Sequence, residues 1–382
     1  MTEIKEITED LEKAEATMSI VLTNDCNLRC KQCSKKKNFD QKTCKKTPGR
    51  MTKKIAIKAI KKFWEIFDLE HSNIKRSILV IGGEPLTNQK VLIELARYVR
   101  TLDKKNGIKT GIFVLTNGTL VTKKIAKIAK YYETVFAVSV DGSKKSHDKY
   151  RKDIYGKGSY DRAIRGLEVL SKEGAEPLIS TVITDHSIKD AKSIMFLAKK
   201  YGIKDTMIKP LLGDTVSFLE KSISIEQYAK KAVRSAIQYL KEAEKIGIKK
   251  YPICAKTESF VQGCFVSGNP NIECSCAMYK KQIAVWTDGT ISLCEKMKDI
   301  TIGNTETATE KLIKNKNNLV EKLKQRLPAF NEKCGECGEF RNMCSGGCAF
   351  SARCITGDLM EKDPLSCLYS KPLYEHLARI NK

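Results

Sequence analysis

The stretch "MSIVLTNDCNLRCKQC", from Met18 to Cys33, decides how this chain is interpreted. Its first six residues are apolar and β-branched in character, which predicts a buried strand. Three cysteines then follow within eight residues, with three and then two residues between them. A closed zinc site takes four ligands and a disulfide takes two thiols. Three thiols on one loop therefore leave a coordination position to another group.

The bulk composition is that of an ordinary globular protein. With 382 residues, 41% of them hydrophobic and 30% charged, the chain predicts a full core in one large and one smaller domain. No apolar run approaches the roughly 20 residues that a membrane-spanning helix needs. The N-terminus, "MTEIKEITEDLEKAEATMS", lacks the apolar centre of a signal peptide. We therefore expect a cytoplasmic protein with no membrane partner.

The cysteines are numerous and unevenly placed. There are fifteen: three at 26–33, Cys44 alone, and eleven between 254 and 367. Disulfides do not persist in a reducing compartment, so metal binding or catalysis accounts for such a number better. The distribution predicts one site near the start of the chain and a cysteine-rich C-terminal domain.

The net charge is +24, and three interpretations of it are open. The lysines are spread along most of the predicted helices and no basic motif is interleaved with aromatic residues, so a solvated lysine surface is favoured. An acidic electron-donor protein comes second. A nucleic-acid partner comes third.

Short apolar runs alternate with amphipathic stretches along the first 246 residues. Strands are predicted at 18–23, 77–82, 111–116, 134–140, 177–183 and 206–210. Helices are predicted at 53–67, 90–102, 123–132, 160–174, 189–202 and 226–246. Such alternation predicts an α/β fold, a partial (β/α)6 TIM-type barrel with a smaller cysteine-rich α+β domain. The expected organisation is an N-terminal extension (1–17), a barrel (18–225), a helical bridge (226–253) and a cluster-binding domain (254–382).

Three further motifs follow predicted strands, where parallel α/β folds place their chemistry. "GGEP", Gly82 to Pro85, follows the second strand, and "TNGT", residues 116–119, follows the third. Gly82 and Gly83 permit a tight turn and a close backbone approach, and Pro85 stiffens the exit. Glu84 can meet a ligand ammonium or hydroxyl group, or it is a solvated loop carboxylate.

The fourth predicted strand is followed by "SVDGSKKSHDKYR", from Ser139 to Arg151. Ser139 and Asp141 stand close enough to hydrogen-bond a sugar, although the glycine that follows makes a simple turn the alternative. Arg151 can pair with a carboxylate or lie on the surface. His147 is assigned to capping or turn packing and not to a catalytic base.

"CNLRCKQC" after a first strand resembles the signature of the radical S-adenosylmethionine (SAM) superfamily, and the three later motifs resemble its SAM-binding segments, over residues 18–210. The resemblance implies that Cys26, Cys30 and Cys33 hold a [4Fe–4S] cluster, with SAM on the fourth iron. One electron then cleaves SAM, and the 5′-deoxyadenosyl radical abstracts hydrogen from a substrate. The implied SAM contacts are Gly82, Gly83, Glu84, Pro85, Asn117, Ser139, Asp141 and Arg151. A zinc site completed by a distant cysteine, or plain buried cysteines, is the alternative.

The C-terminal cysteines resemble the SPASM extension of that superfamily, which holds two auxiliary [4Fe–4S] clusters. The carrying segments are "CAMYKKQIAVWTDGTISLC" and "CGECGEFRNMCSGGC", although the Cys337–Cys344 gap has six residues where the pattern has five. The resemblance implies one cluster on Cys276, Cys294, Cys348 and an upstream cysteine, Cys274 or alternatively Cys264. It implies the other on Cys334, Cys337, Cys344 and Cys367.

Three other thiols have no assigned role, and the C-terminal cysteines are also compatible with a metal other than iron. Cys254 and Cys354 are expected to be spare thiols, and Cys44 an ordinary loop thiol. Because C-x2-C pairs also build Zn(Cys)4 sites, a pair of zinc ribbons is the alternative for this region.

The SPASM resemblance implies a maturase that oxidatively modifies a peptide or protein, for example by a thioether or other crosslink. The alternatives are an anaerobic sulfatase-maturing, formylglycine-generating enzyme and a small-molecule cofactor maturase. Sulfatase-maturing enzymes commonly carry Asp where this chain has Glu295, which weakens that alternative. A non-catalytic electron carrier or zinc-binding protein would have no need of "GGEP".

The implied partners are a peptide or protein substrate and a reducing protein such as ferredoxin or flavodoxin. Many peptide maturases carry a leader-binding domain ahead of the barrel. Because 17 residues precede the first predicted strand, we expect leader recognition to use a separate protein or another surface.

Overall fold

The computed structural model describes most of the chain, in several ranges. These are residues 16–33, 49–68, 74–211, 213, 223–246, 276, 278, 281–327, 334, 337 and 346–380. Five cysteines of the sequence interpretation lie outside the described residues: Cys44, Cys254, Cys264, Cys274 and Cys344.

Six parallel strands form one open sheet in chain order, which confirms the predicted α/β class. They are β1 (Ala16–Thr23), β2 (Arg76–Gly82), β3 (Gly111–Thr116), β4 (Thr134–Ser139), β5 (Leu178–Ile183) and β6 (Thr206–Pro210). β1 begins within the predicted N-terminal extension, because Ala16 and Thr17 are buried and pair with β2.

Helices connect the strands and follow the predicted pattern closely. In chain order they are α1 (Lys53–Ile66), α2 (Gln89–Asn106), α3 (Lys123–Tyr131), α4 (Lys144–Tyr150), α5 (Tyr160–Lys172), α6 (Ala191–Lys200) and α7 (Ile225–Lys245). Thr52 and Thr122 cap α1 and α3 by accepting backbone N–H hydrogen bonds, and Ser224 begins α7 in a capping box. The short helix α4, which the apolar pattern did not predict, places Arg151 at its end.

Each strand divides its side chains between two apolar layers. On β1, Met18, Ile20 and Leu22 belong to the large core, whereas Val21 belongs to a second cluster on the other face. That second cluster contains Val21, Leu79, Ile81, Phe113, Ala137, Leu178, Met207 and Trp286. The inner face of the sheet is therefore a mostly apolar surface just below the loops at the carboxyl ends of the strands.

The C-terminal part joins the same sheet instead of forming one of its own. β7 (Gln282–Val285) pairs parallel with β1, and β8 (Thr290–Cys294) and β9 (Met297–Asn304) continue antiparallel. The described strands thus form one nine-stranded sheet in the order β6-β5-β4-β3-β2-β1-β7-β8-β9. The predicted domain boundaries stay predictions, and no break in the sheet marks the one between barrel and C-terminal part.

Three more helices complete the described chain: α8 (Thr309–Leu323), α9 (Ala349–Thr356) and α10 (Pro364–Ile380). α7, predicted as a bridge, packs against α6 and α10. In the ranges given above, no helix is both long and apolar enough to cross a membrane.

Candidate active site

The three-cysteine loop leaves β1 at its carboxyl end and carries three half-buried thiols. Burial raises the pKa of Cys26 to about 12, and the Cys30 and Cys33 thiols raise it further as close neighbours. Burial also raises the pKa of Cys30, to about 11, although the Arg151 charge opposes this. The three thiols therefore lie close together. They would release their protons on binding metal.

The two glycines of "GGEP" let the end of β2 lie directly on this loop. Gly83 N–H donates to the Thr23 carbonyl at 2.8 Å, and Glu84 N–H to the Asp25 carbonyl at 2.7 Å. A Cβ added at Gly83 would stand 2.3 Å from the Asp25 oxygen, and one at Gly82 would stand 2.5 Å from the Thr23 oxygen. The predicted close approach exists, and its partner within the chain is the cysteine loop.

Glu84 is a buried carboxylate that joins the ends of β2 and β3. Its side chain is 1% exposed, so the solvated alternative is wrong. It accepts hydrogen bonds from Leu86 N–H at 3.0 Å, Thr116 Oγ1 at 2.7 Å and Asn117 N–H at 2.7 Å. Burial raises the pKa of this carboxyl group above its ordinary value, and these hydrogen bonds oppose the rise. A further contact with a ligand ammonium stays a prediction.

Asn117 ties the third strand end to the cysteine loop. Its Nδ2 donates to Asn27 Oδ1 at 2.9 Å, and Asn27 Nδ2 donates to Thr119 Oγ1 at 2.7 Å. The Thr119 hydroxyl in turn donates to Asn117 Oδ1 at 2.7 Å. These three side chains close a ring of hydrogen bonds, which positions the loop between Cys26 and Cys30.

Asp141 and Arg151 form a buried ion pair beside the thiols. Arg151 Nε and one terminal nitrogen donate to the two Asp141 oxygens at 2.6 and 3.1 Å. Burial would raise the pKa of Asp141, but the Arg151 charge and hydrogen bonds bring it below its ordinary value. The surface alternative for Arg151 is wrong, because its side chain is only 13% exposed. Two of its five N–H donors serve Asp141, so a ligand carboxylate remains a compatible further partner.

Asp141 also holds the cysteine loop through Gln32, a contact that the sequence interpretation missed. Gln32 Nε2 donates to Asp141 Oδ2 at 2.8 Å, and Val182 N–H donates to Oδ1 at 3.0 Å. A buried glutamine between two cysteines has no distinctive sequence pattern. Ser139, at the end of β4, is buried close by. The predicted sugar contacts of Ser139 and Asp141 stay predictions.

His147 is a buried structural side chain, as the sequence interpretation assigned it. Nδ1 accepts the Asp141 N–H at 3.2 Å, and Nε2 lies 3.0 Å from the Ser159 hydroxyl, which donates to the Arg151 carbonyl. This pattern assigns the proton to Nε2. Burial first, and then the Arg151 charge, lower the pKa of His147 to about 4. The neutral ring therefore holds the Asp141 and Arg151 backbones in place.

Backbone pairing also fixes the outer side of the cysteine loop. Leu28 pairs with Asp153, Arg29 N–H donates to the Lys152 carbonyl at 2.7 Å, and Lys31 N–H donates to the Tyr150 carbonyl at 2.8 Å. The sequence interpretation missed this pairing, because backbone hydrogen bonds leave no side-chain signature. The loop is therefore held by the ends of β2, β3 and α4 together.

A second group of thiols lies near β8, on the side of β1 away from β2 to β6. Cys294 ends β8, and Cys348 directly precedes α9. Burial raises the pKa of Cys294 well above its ordinary value, and the neighbouring Cys348 and Cys276 thiols raise it further. The structure thus brings together the three described cysteines of one predicted auxiliary site. Cys334 is buried and Cys337 and Cys367 are half-buried, the last within α10.

Two buried charged residues that the sequence interpretation missed support this region. Asp363 accepts from Cys348 N–H at 3.3 Å and from the Ser351 hydroxyl at 2.9 Å. Arg326, 1% exposed, donates to the Gly346 carbonyl at 3.1 Å. Arg326 lies eight residues before Cys334 and Asp363 four residues before Cys367, but charged residues are usually exposed, so no pattern marked these two as buried.

Within the described ranges, no three His, Cys, Asp or Glu side chains are placed to hold one metal ion. A [4Fe–4S] cluster makes a different demand, because each thiolate binds a different iron. Three soft thiolates on one loop fit such a cluster by their chemistry, and the adjacent Arg151 cation suits a net anionic group.

Residues 20–198 match the model of the radical SAM superfamily. The match covers just under half of the chain and assigns this segment to a radical SAM domain. A radical SAM domain implies a [4Fe–4S] cluster and SAM, and it indicates an enzyme.

Three curated radical SAM relatives show the range of similarity. A cysteine-type anaerobic sulfatase-maturating enzyme of Clostridium perfringens is 25% identical over 85% of this chain and 86% of its own. An AdoMet-dependent heme synthase of Methanosarcina barkeri is 26% identical over 91% and 95%. The cyclopropyl synthase TigE of Paramaledivibacter caminithermalis is 28% identical over 56% of this chain, and the match spans only 45% of TigE.

Solved structures support the fold. The sulfatase-maturating enzyme anSMEcpe with bound AdoMet has a TM-score of 0.72 at 22% identity, covering 96% of this chain and 99% of that one. SuiB of Streptococcus suis, bound to its precursor peptide SuiA, has a TM-score of 0.63 at 16% identity, covering 96% and 79%. The fold of these two structures therefore extends over 96% of this chain.

Proposed function

We propose that this radical SAM enzyme is a maturase that oxidatively modifies a peptide or protein, for example by a thioether or other crosslink. The observation that carries the proposal is the three-thiol loop, fixed at the carboxyl ends of β1 to β4 above an apolar sheet face. A second group of thiols, with Cys294 at the end of β8 and Cys348 at the start of α9, supports oxidative chemistry, which needs a further electron acceptor.

In this proposal Cys26, Cys30 and Cys33 hold the SAM-binding cluster. With SAM and one electron from a reductant, such a cluster would supply hydrogen-abstracting radical chemistry at this loop. The "GGEP" segment, Asn117, Ser139 and Asp141 are proposed to border the SAM site, and the buried Arg151 cation, which already pairs with Asp141, would also pair with the SAM carboxylate. The apolar inner face of the sheet excludes water from the reaction.

The proposed auxiliary site on Cys274, Cys276, Cys294 and Cys348 is supported by the closeness of its three described thiols. The other proposed site uses Cys334, Cys337, Cys344 and Cys367. Cluster potentials are tunable over several hundred millivolts by burial and hydrogen bonding, so either site suits removal of an electron from a substrate radical.

A peptide substrate is supported by the two solved neighbours. anSMEcpe was solved with a bound peptide and SuiB with its precursor peptide. The proposal includes an electron carrier such as ferredoxin or flavodoxin, and a separate leader-binding protein or surface.

The alternatives follow other relatives. The sulfatase-maturating enzyme and the heme synthase each align with most of this chain. The first relative favours formylglycine formation as the reaction, and the second favours maturation of a small-molecule cofactor. Glu295, directly after Cys294, stands where sulfatase-maturing enzymes commonly carry Asp, and the proposal therefore keeps crosslinking first.

The test begins with anaerobic reconstitution, followed by SAM and dithionite. We expect 5′-deoxyadenosine to form, and no cleavage by a variant with Cys26, Cys30 and Cys33 all replaced by Ala. Unchanged cleavage by that variant would contradict the assignment. Coexpression with a candidate substrate, either a short cysteine-rich peptide or a sulfatase, followed by mass spectrometry, then decides the reaction. Loss of hydrogen pairs from a peptide supports crosslinking, and formylglycine in a sulfatase supports the alternative.

A further inference from the structure

Residues 152–158, here called the 152–158 turn, present two large apolar side chains to solvent. Ile154 is 55% exposed and Tyr155 is 80% exposed. The turn is closed by the pairing of Lys152 with Gly158 and by Asp153, whose Oδ1 accepts from Tyr155 N–H at 2.9 Å. These contacts make the turn an ordered projection. Its apolar tip, Ile154 and Tyr155, points into solvent.

This turn lies against the three-cysteine loop. Leu28 pairs with Asp153, and Arg29 N–H donates to the Lys152 carbonyl at 2.7 Å. Arg151, directly before the turn, is close enough to Cys30 for its charge to lower the pKa of that thiol. The exposed tip is therefore connected through a few covalent and hydrogen bonds to the thiols that would carry the cluster.

The surroundings of the tip are positively charged. Five exposed cations, here called the basic rim, come from the cysteine loop, α4 and the turn: Arg29, Lys31, Lys149, Lys152 and Lys157. Two nearby carboxylates are neutralised within the chain, because Asp153 pairs with Arg162 at 2.8 Å and Asp161 pairs with Lys144. A third, Asp148, is half-buried against Gly158 and accepts the Tyr160 N–H at 2.8 Å, so the cations outnumber the unpaired carboxylate. The solvent-facing charge next to the cysteine loop is thus a cluster of cations around an apolar centre.

We propose that the apolar tip and the basic rim form the docking surface for a small acidic one-electron carrier protein. An apolar centre with a charged rim is the usual anatomy of a protein interface, and opposite charge steers an acidic partner to it. The carrier loses one electron and is oxidised, and the site of Cys26, Cys30 and Cys33 gains that electron. This inference rests on the proposed function, because only a redox site there requires an electron carrier.

The experiment compares two reductants on the full-length, cluster-loaded enzyme. Reduced flavodoxin is the docking-dependent electron source, and dithionite is the source that needs no docking. The first variant, Lys149→Glu with Lys157→Glu, reverses two rim charges. The second, Ile154→Ser with Tyr155→Ser, removes the apolar tip without changing charge. The matched control reverses two exposed lysines on α3, Lys124→Glu with Lys127→Glu.

For both rim and tip variants we expect the flavodoxin concentration at half-maximal SAM cleavage to rise on the order of ten-fold at low salt. Iron content and the dithionite-driven rate should stay unchanged. The control variant should match the wild type with both reductants. Added salt should raise the flavodoxin concentration that the wild type needs for half-maximal cleavage toward the value of the charge-reversed variant, because the steering is electrostatic.

Several results would overturn the proposal. One is that the half-maximal flavodoxin concentration rises as much for the control variant as for the rim variant. Another is that this concentration is the same for both test variants as for the wild type. A third is that neither flavodoxin nor ferredoxin reduces a wild type that dithionite does reduce. Loss of RNA binding by the rim variant, with an unchanged flavodoxin titration, would instead assign the surface to nucleic acid. If dithionite supports no SAM cleavage by the wild type, the proposed function fails first and this inference fails with it.

Discussion

Gly83 lacks a side chain at a point where the end of β2 lies against the cysteine loop. A Cβ there would stand 2.3 Å from the Asp25 carbonyl oxygen and 2.6 Å from its carbon. Backbone atoms cannot move aside as the end of a flexible side chain can. The glycine is therefore required by packing within the chain, before any ligand is considered.

We expect Gly83→Ala to lower the free energy of unfolding by about 1–3 kcal/mol, the usual cost of overpacking, and to reduce iron retention. Urea unfolding of the metal-free protein and iron analysis after reconstitution would measure the two effects. Gly49→Ala is the control, because its Cβ would meet only Asp25 Oδ1, at an ordinary 3.5 Å. Equal stability of both variants would contradict the packing argument.

His147 gives the fold a pH dependence whose direction follows from its lowered pKa. The ordinary value is 6.5 and the folded value is about 4. Between these values the unfolded chain binds a proton that the folded chain does not. Stability from this group is therefore complete above pH 6.5 and is lost as the pH falls toward 4.

Between pH 7.5 and pH 5, His147 should account for a loss of about 2 kcal/mol in the free energy of unfolding. His147→Gln can keep both hydrogen bonds without titrating, so its stability should fall less over that range. Free energies of unfolding from urea titrations at each pH would be compared for the wild type and the variant. Their difference gives the contribution of His147 apart from that of the carboxylates. Parallel series for wild type and variant would refute this role.

At the scale of elements, Glu84 connects two strand ends that are not joined by a short loop. It begins the 3₁₀ turn Pro85–Asn88 and accepts hydrogen bonds from Thr116 and Asn117 at the end of β3. Asn117 then bonds to the cysteine loop through Asn27. The relative position of β2, β3 and the loop thus depends on one buried carboxylate.

Glu84→Gln should destabilise the protein by about 1–3 kcal/mol. Both carboxylate oxygens of Glu84 accept hydrogen bonds, so the NH2 group of the glutamine would replace an acceptor and would face a hydrogen-bond donor. Increased amide hydrogen exchange at Asn27 and Asn117 would localise the effect to these strand ends. Glu94→Gln on α2, where the carboxylate pairs with Lys53 and Arg97 near the surface, should change little. A Glu84 variant as stable and as protected as the wild type would show that the carboxylate does not connect the elements.

At the scale of the whole molecule, the two groups of thiols border one continuous sheet. The cysteine loop follows β1, and β7 to β9 extend the sheet beyond β1 toward Cys294. In the proposed function these groups act separately, one in SAM cleavage and the other in the later electron transfer. Separate roles predict separate losses on substitution.

Fully loaded protein should contain about twelve irons, four for each of three clusters. Replacing Cys276, Cys294 and Cys348 by Ala should remove about four of them and spare dithionite-driven SAM cleavage. Replacing Cys26, Cys30 and Cys33 should remove about four and abolish cleavage. Iron analysis and chromatography of 5′-deoxyadenosine would measure both. A wild type that binds zinc in place of iron would contradict the prediction.

The sequence by itself determined the order of the strands and of every helix except α4 in the described part of the first 246 residues, because apolar periodicity reports burial locally. It also marked the glycines and thiols whose chemistry is unusual wherever they occur. What only the tertiary structure decided are contacts between distant segments. These include the Gln32–Asp141 hydrogen bond, the pairing of Leu28 with Asp153, and the parallel pairing of β7 with β1. Such contacts depend on how whole elements pack, and backbone pairing or a common polar residue leaves no pattern in the chain.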